Sequence, residues 1–547
     1  MLQTAASDAD CDAYHVIVGA LSRAFDQLAS HRQQQLAPVL VGYLKQSHAS
    51  GPSCGSNTSS LSTWLEESFG KFSIYVDYRD LRVLNEGFGS FEALDLLSAP
   101  QLAQLTLTSG ALNNVGLIGL VFDRLDNSSS AFREVDVFLT VLTSTPQALD
   151  IDPVVRDITM YRVFAIISLH FGDFEIRDWV SWFTVKLTPL LPSLTAEMLQ
   201  TAASDADCDA YHVIVGALSR AFDQLASHRQ QQLAPVLVGY LKQSHASGPS
   251  CGSNTSSLST WLEESFGKFS IYVDYRDLRV LNEGFGSFEA LDLLSAPQLA
   301  QLTLTSGALN NVGLIGLVFD RLDNSSSAFR EVDVFLTVLT STPQALDIDP
   351  VVRDITMYRV FAIISLHFGD FEIRDWVSWF TVKLTPLLPS LTAEMLQTAA
   401  SDADCDAYHV IIGALSSIFD QMTSLRQQKI TAVLVEYLKQ NHVSACQGDS
   451  TTDSSWMSIN FGPFSRHVTY TNLQEMKING MTVLNSLSAR LKAELIFDPS
   501  TGVLQNETLM RMVLSSILMS PDDGQLEQFF MTFTYITTKV NKQYHND

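Results

Sequence analysis

The sequence predicts an all-α protein, a right-handed α-solenoid of armadillo- or HEAT-like helical repeats. Three observations predict this fold. Long segments of the chain repeat, the apolar residues within them follow helical spacing, and residue patterns that begin helices recur. Because one helix pair cannot bury its apolar face alone, successive repeats stack and share a continuous core.

The chain consists of three repeat blocks. Residues 1–197 and 198–394 are identical, and residues 395–547 form a diverged, shortened third block. A finer period lies within the blocks, because an FGxF motif recurs at Phe69, Phe171, Phe266, Phe368 and Phe461. The basic unit therefore has about 98 residues, and each 197-residue block holds two unlike versions of it.

We predict four or five helices in each unit. In the first unit the apolar residues step by three and four positions, which places them on one helix face. They are Tyr14, Ile17, Leu21, Phe25 and Leu28.

Helix starts and breaks are marked by short local patterns. The segments "SHRQ" from Ser30 and "SAPQ" from Ser98 match a capping box, in which serine accepts a backbone N–H and glutamine reaches back. Pro38 falls deeper in its helix, so that helix either kinks or starts later than Ser30. Only "FSIYVDY" from Phe72 and "LTLTS" from Leu105 have the composition of short strands.

Composition excludes several classes of protein. Apolar residues make up 46% and charged residues 17%, which indicates packed cores rather than disorder. Acidic residues outnumber basic ones 59 to 34, for a net charge of −25, which argues against a nucleic-acid partner and a polybasic membrane contact. No stretch reaches the roughly 18 apolar residues of a spanning helix.

The cysteines fall two to a block, 43, 43 and 41 residues apart. Each pair would join the segment before a block's first helix to the Ser/Gly-rich loop after its second, and these ends lie close in a helical hairpin. We therefore predict three disulfides, while six free thiols copied along with the repeats remain the alternative. The pairs are Cys11 with Cys54, Cys208 with Cys251, and Cys405 with Cys446.

Candidate glycosylation sites point the same way as the cysteines. N-x-S/T sequons occur in predicted exposed turns, and chance alone accounts for about as many independent sites. Together with the cysteine pairs they favour an extracellular location. They are Asn57, Asn127, Asn254, Asn324 and Asn506.

No motif of enzyme chemistry is present in the sequence: it has no HExxH, GxSxG, Walker loop or GxGxxG opening a helix. Asp8, Asp10 and Asp12 alternate like the start of a calcium loop. Ala13 and Gly19 stand where an EF-hand needs glycine and glutamate, so we expect an acidic first helical turn instead. We expect no catalytic, cofactor-binding or metal site and no enzyme.

Aromatic residues are the remaining candidates for a binding site. Trp179 and Trp182 are three residues apart, so they share a helix face, and core packing is favoured over a sugar-binding platform. His170 is expected to pack against aromatic rings. Phe69 and Phe72 of the FGxF motif are expected to be structural, with Gly70 permitting a tight turn.

The stretch from "FGKFSIYVDY" to "LSAPQLAQL", followed by "LIGLVFDRLDNSSSAFREVDVFLTVL", resembles the mesothelin, stereocilin and otoancorin family, in particular its long, repetitive mesothelin-like members of fish. The resemblance covers essentially the whole chain. It implies armadillo-like repeats at the cell surface, often lipid-anchored, acting in cell–matrix or cell–cell adhesion. Two features depart from the family, because Met1 does not open a secretion signal and "TTKVNKQYHND" is not a hydrophobic anchor tail. We therefore expect a fragment or an unanchored form.

The leading hypothesis is a secreted or cell-surface adhesion protein that binds an extracellular protein or glycan, with no nucleic-acid partner. Membrane association is expected only through a lipid anchor missing from this chain. The alternative is an intracellular HEAT- or armadillo-type scaffold, whose cysteines would stay reduced. A helical-repeat enzyme is the third hypothesis and needs a pocket of convergent titratable groups.

Overall fold

The computed structural model is all-helical. It describes residues 10–50, 54, 60–144, 150–247, 251, 257–341, 347–442, 446, 456–518 and 523–544. Within those ranges α-helices are joined by turns and by short 3₁₀ and π segments, and no β-strand is present. The all-α prediction and the packing of helices in repeats are therefore confirmed.

The chain divides into two compact units, Met1–Leu281 and Asn282–Asp547. The described helices of the first unit are α1 Cys11–Arg23, α2 Ser30–Ser50, α3 Leu61–Phe69, α4 Tyr78–Leu84, α5 Ala99–Thr108, α6 Val115–Asp126, α7 Ala131–Leu142, α8 Pro153–Ile167, α9 Ile176–Ser181, α10 Ala196–Asp205, α11 Cys208–Ala221, α12 Ser227–Ser247, α13 Leu258–Phe266 and α14 Tyr275–Leu281.

The described helices of the second unit are α15 Ala296–Thr305, α16 Val312–Asp323, α17 Ala328–Thr340, α18 Pro350–Ile364, α19 Ile373–Ser378, α20 Ala393–Asp402, α21 Cys405–Ser417, α22 Ser424–Tyr437, α23 Trp456–Phe461, α24 Tyr470–Glu475, α25 Ala489–Phe497, α26 Glu507–Leu518 and α27 Asp523–Tyr544. The three block bounds predicted from the sequence stay a prediction.

Alternate helices pack against each other along the chain. In the first unit α5 packs on α7, α6 on α8, α9 on α11 and α10 on α12. The second unit repeats the pattern, with α15 on α17, α16 on α18, α19 on α21 and α20 on α22. A helix is therefore covered both by its own repeat and by the next one, as expected of stacked repeats.

Two copies of one sequence differ in burial because of this stacking. Ile214 and Leu218 on α11 are fully buried, at 0% exposure. Their counterparts Ile17 and Leu21 on α1 are only partly buried. Helix α9 and the π segment Trp182–Lys186 pack against α11, and no described helix takes that place before α1. The predicted helix face is confirmed for Tyr14, Ile17 and Leu21 and is wrong beyond them, because α1 ends at Arg23, Phe25 lies in a 3₁₀ segment and Leu28 has extended backbone.

Some predictions of local structure are confirmed and others are wrong. The capping box of Ser98 with Gln101 is present. The one predicted at Ser30 is wrong, because Ser30 is already the first residue of α2 and the Gln33 amide donates instead to the Phe25 and Leu28 carbonyls, at 2.9 and 3.1 Å. Pro38 lies within α2, so the later helix start is also wrong.

Neither strand-like segment forms a strand. Most of "FSIYVDY" lies in a 3₁₀ segment, Gly70–Tyr75, and in the turn before α4. The segment "LTLTS" forms the last turn and the C-terminal cap of α5. Strand propensity is overridden in both segments by packing between helices, because Phe72 and Leu105 are almost fully buried against them.

The FGxF turn requires glycine in one version of the unit and not in the other. Gly70 has φ of 52°, and a Cβ there would lie 1.7 Å from the Ser22 Oγ atom of α1. Phe69 and Phe72 on either side are fully buried, as predicted. Gly172 of the second FGxF motif has no positive φ and no atom within 4 Å of a built Cβ. A helix therefore lies against the turn at the first FGxF motif, where α1 contacts Gly70, and not at the second, at Gly172.

Replacing Gly267 by alanine tests this difference. Gly267 has φ of 51° and a Cβ there would lie 1.7 Å from Ser219 Oγ, so Gly267→Ala should lower the free energy of unfolding by about 1–3 kcal/mol. The matched control Gly172→Ala should change it by less than about 0.5 kcal/mol. Urea unfolding followed by circular dichroism measures both. Equal losses in the two variants would contradict the assigned difference.

Candidate functional site

Each block contains one disulfide at the same place. The pairs Cys11–Cys54, Cys208–Cys251 and Cys405–Cys446 are formed, with Cα–Cα distances of 5.3, 5.4 and 5.2 Å. These distances lie within the range typical of disulfides. The first cysteine of each pair opens a helix, α1, α11 or α21, and the second follows the next long helix. The predicted pairing is therefore confirmed, and the free-thiol alternative is wrong for this structure.

A stacked pair of tyrosines lies beside each disulfide. Tyr14 on α1 and Tyr43 on α2 stack with ring centroids 4.2 Å apart and planes 11° from parallel. The Tyr14 hydroxyl donates to the Ser68 carbonyl of α3 at 2.8 Å. The Ser47 hydroxyl lies 3.3 Å from the Cys54 sulfur. We call this disulfide and tyrosine pair, with its counterparts in the other blocks, the disulfide corner.

The tyrosine pair recurs in the other two blocks. Tyr211 and Tyr240 stack at 4.1 Å, and Tyr408 and Tyr437 at 4.2 Å. Burial raises the pKa of the Tyr14, Tyr211 and Tyr408 phenols, and it raises the pKa of Tyr437 to about 12. The corner therefore holds neutral tyrosines and carries no group suited to acid–base catalysis near neutral pH.

Sequence reasoning placed Tyr14 on the apolar face of the first helix but missed its pairing with Tyr43, although a signal for the pair exists. The two tyrosines of each pair are 29 residues apart in every block, including the diverged third one. Equal spacing after so much substitution indicates a fixed contact between the first and second helices.

The acidic start of each block caps a helix. The Asp10 carboxylate accepts the Ala13 backbone N–H at 2.9 Å, and Asp207 and Asp404 do the same in the other blocks. Asp12 lies in the first turn of α1, as expected for a residue favoured by the helix dipole, and Asp8 lies outside the described residues. Within the part of the chain that the structure describes, no three His, Cys, Asp or Glu side chains group as a metal site.

The aromatic candidates belong to the core. Trp179 and Trp182 are each 2% exposed, so the core interpretation is confirmed over the sugar platform. Trp179 stacks on Phe171 with centroids 5.0 Å apart, and His170 lies 4.3 Å from the Phe132 ring. The predicted packing of His170 against an aromatic ring is also confirmed.

Three of the sequons lie on the surface of the described chain. Asn127 and Asn324 follow helices α6 and α16, Asn506 precedes α26, and all three are exposed. Asn57 and Asn254 lie outside the described residues. Because Asn127, Asn324 and Asn506 are exposed, a glycosyl transferase can reach them. Glycosylation itself stays a prediction.

Helix α8 and the turn after it expose three large apolar side chains, as the copy α18 does, and the exposed Asp157 between Val154 and Tyr161 pairs with Arg229 at 3.0 Å. On α8 and the turn after it, Val154, Tyr161 and Leu169 are 58%, 65% and 81% exposed. We call this set the α8 face; its copy is Val351, Tyr358 and Leu366. Arg162 of α8 forms ion pairs with Asp123 and Asp126 of α6, at 2.6 Å each, and these fix α8 to α6. These exposed side chains make the α8 face the candidate protein-binding surface.

No family model, curated protein or solved structure matches this chain. None of the helices that the structure describes has the length and apolar character required to cross a membrane.

Removing the disulfide of the third block should destabilise it. Replacing Cys405 and Cys446 together by alanine frees a loop of 41 residues in the unfolded chain, which costs about 3–4 kcal/mol in a chain-entropy estimate. Urea unfolding without reductant measures the loss. With dithiothreitol present, the variant and the reduced parent should unfold alike at the third block, and a persistent difference would mean that side-chain packing causes the loss.

The third disulfide corner should also lose stability in alkali. Tyr437 stays neutral in the folded chain up to a pKa of about 12, whereas an exposed tyrosine ionises near about 10. The unfolded chain therefore releases the proton first, so the stabilisation is complete below about pH 10 and is lost as the pH rises toward 12. Urea unfolding at pH 9 to 12 should show a smaller decline for Tyr437→Phe. An unchanged decline would contradict the role of this phenol.

Proposed function

We propose that this chain is a non-enzymatic, secreted or cell-surface adhesion protein whose helices form a right-handed α-solenoid. Its function would be cell–matrix or cell–cell adhesion through repeated surface sites. The observation that carries the proposal is the disulfide corner, because all six cysteines are paired and each block has its own bond. Structural disulfides persist in oxidising compartments and are rare in the cytosol.

The α8 face is the proposed contact surface. The tyrosine, leucine and valine exposed on α8 and the turn after it offer an apolar contact area, which supports a protein as the ligand. Because α8 and α18 carry the same residues, one chain offers two equal sites. Two sites that engage together can exceed the affinity of one by roughly 10²–10⁴.

The resemblance to the mesothelin, stereocilin and otoancorin family supports the same function and stays part of the proposal. The exposed Asn127, Asn324 and Asn506 are consistent with passage through the secretory pathway. Extracellular or cell-surface location is accordingly proposed together with adhesion.

Charged substitutions on the two faces test the proposal. Beads coated with the full chain should bind to cultured epithelial cells or to the matrix that those cells deposit. Tyr161→Asp or Tyr358→Asp alone should each weaken binding about 10²-fold, because a chain with one intact site loses the avidity of two. The double variant should bind no better than albumin-coated beads. Counting retained beads under defined shear measures the effect.

Tyr535→Asp is the matched control, because Tyr535 is 67% exposed and lies on α27, which belongs to neither face. It should leave bead binding unchanged. If the double variant binds as well as the parent, the α8 face is not the contact surface. If the parent binds no better than albumin-coated beads, adhesion is wrong and an intracellular scaffold becomes the better explanation.

A further inference from the structure

A cleft in the second unit is lined by α25, α26 and the start of α27. Its volume is about 940 Å³, and its lining includes Lys492 of α25, Arg511 of α26 and Gln525 of α27. The lining also carries hydroxyl and amide groups from Ser465, Asn485, Ser486 and Ser515. Such a cleft is much larger than a single inorganic oxyanion, and it offers hydrogen-bonding groups on several sides.

Lys492 is a buried lysine in this cleft. It is 4% exposed, and no other charged side chain within the described ranges is buried to that degree. Its ammonium group donates to the Ser516 carbonyl at 3.2 Å. Burial lowers the pKa of Lys492, and no carboxylate among the described residues counters that effect. A buried cation without a counter-charge is costly unless an anion compensates it.

The repeat shows that the fold does not need a lysine at this place. The aligned residues of the identical blocks are Leu102 and Leu299, both 0% exposed. The third block therefore has a lysine that lines the cleft where the other two blocks have a core leucine. A replacement that costs stability and adds a charge to a cleft points to a ligand.

The charge of the site is opposite to that of the chain. The whole protein carries −25, whereas the cleft brings together Lys492 and Arg511. Arg511 also pairs with Glu507 at 2.6 Å, and both side chains are largely exposed, so this pair can rearrange around a ligand. The buried ammonium is thus the cation that an incoming anion would meet in the interior of the cleft.

We propose that this cleft binds an acidic sugar, with its carboxylate or sulfate on Lys492 and its hydroxyl groups on the serine and asparagine side chains. The charged group matches an ammonium that has a carbonyl acceptor but no carboxylate partner among the described residues, and the ring matches the volume and the hydroxyl-rich lining. The lysine belongs to the third block alone, and the site does not depend on the adhesive role of the α8 face.

Calorimetric titration of the full chain with four probes tests the proposal. The probes are glucuronate, glucose 6-sulfate, glucose and inorganic sulfate. We expect the two acidic sugars to bind at least tenfold more tightly than glucose or sulfate. Sulfate binding as tightly as the acidic sugars would overturn the sugar assignment, and no binding of either acidic sugar would overturn the site.

The variant Lys492→Leu restores the residue of the other two blocks. It should reduce affinity for the acidic sugars at least tenfold and should raise the melting temperature, because it removes an uncompensated buried charge. Lys539→Leu, at an exposed position of α27, is the control and should leave binding unchanged. A lower melting temperature with unchanged sugar affinity for Lys492→Leu would show that the lysine is structural.

Discussion

The apolar face of a repeat's first helix has to be covered by the repeat before it, and much of the fold depends on this requirement. Helix α11 is buried because α9 and the π segment after it pack on its face. The same sequence in α1 remains partly exposed. Packing between alternate helices continues through both compact units, so each repeat supplies part of the core of the next. Substitutions at these contacts should therefore lower the stability of two neighbouring repeats.

Hydrogen bonding at the turns adapts when the sequence diverges. In the first block the Gln101 amide donates to the Ser73 and Val76 carbonyls, at 2.8 and 2.7 Å. The third block has Leu491 at that position, and its neighbour Arg490 donates to the Val468 carbonyl instead. The carbonyl of Val76 in the first block and that of Val468 in the third therefore each have a side-chain donor, although the donor stands one position earlier in the third block. This is expected because a buried carbonyl without a donor is costly.

The repeat, the helical class and the disulfide pairing could be predicted because each leaves a signal in spacing. The absence of a capping box at Ser30 could not, because the Gln33 amide has acceptors at Phe25 and Leu28 that are present only once the preceding turn is folded. The need for glycine at Gly70 but not at Gly172 depends on whether Ser22 of another helix lies against the turn. Lys492 was missed since a lone lysine in a helical pattern is usually solvated, and only the comparison with Leu102 marks it.

Formation of the disulfide corner in the native protein is the central claim, and peptide mapping under non-reducing conditions tests it most directly. Protein isolated from its tissue would be digested with free thiols blocked, and the third block gives a linked peptide distinct from those of the identical blocks. We expect Cys405 joined to Cys446, the peptide of Cys11 with Cys54 and its identical copy, and glycan on Asn506. Blocked free thiols with unmodified asparagines would contradict an extracellular adhesion protein and favour an intracellular scaffold.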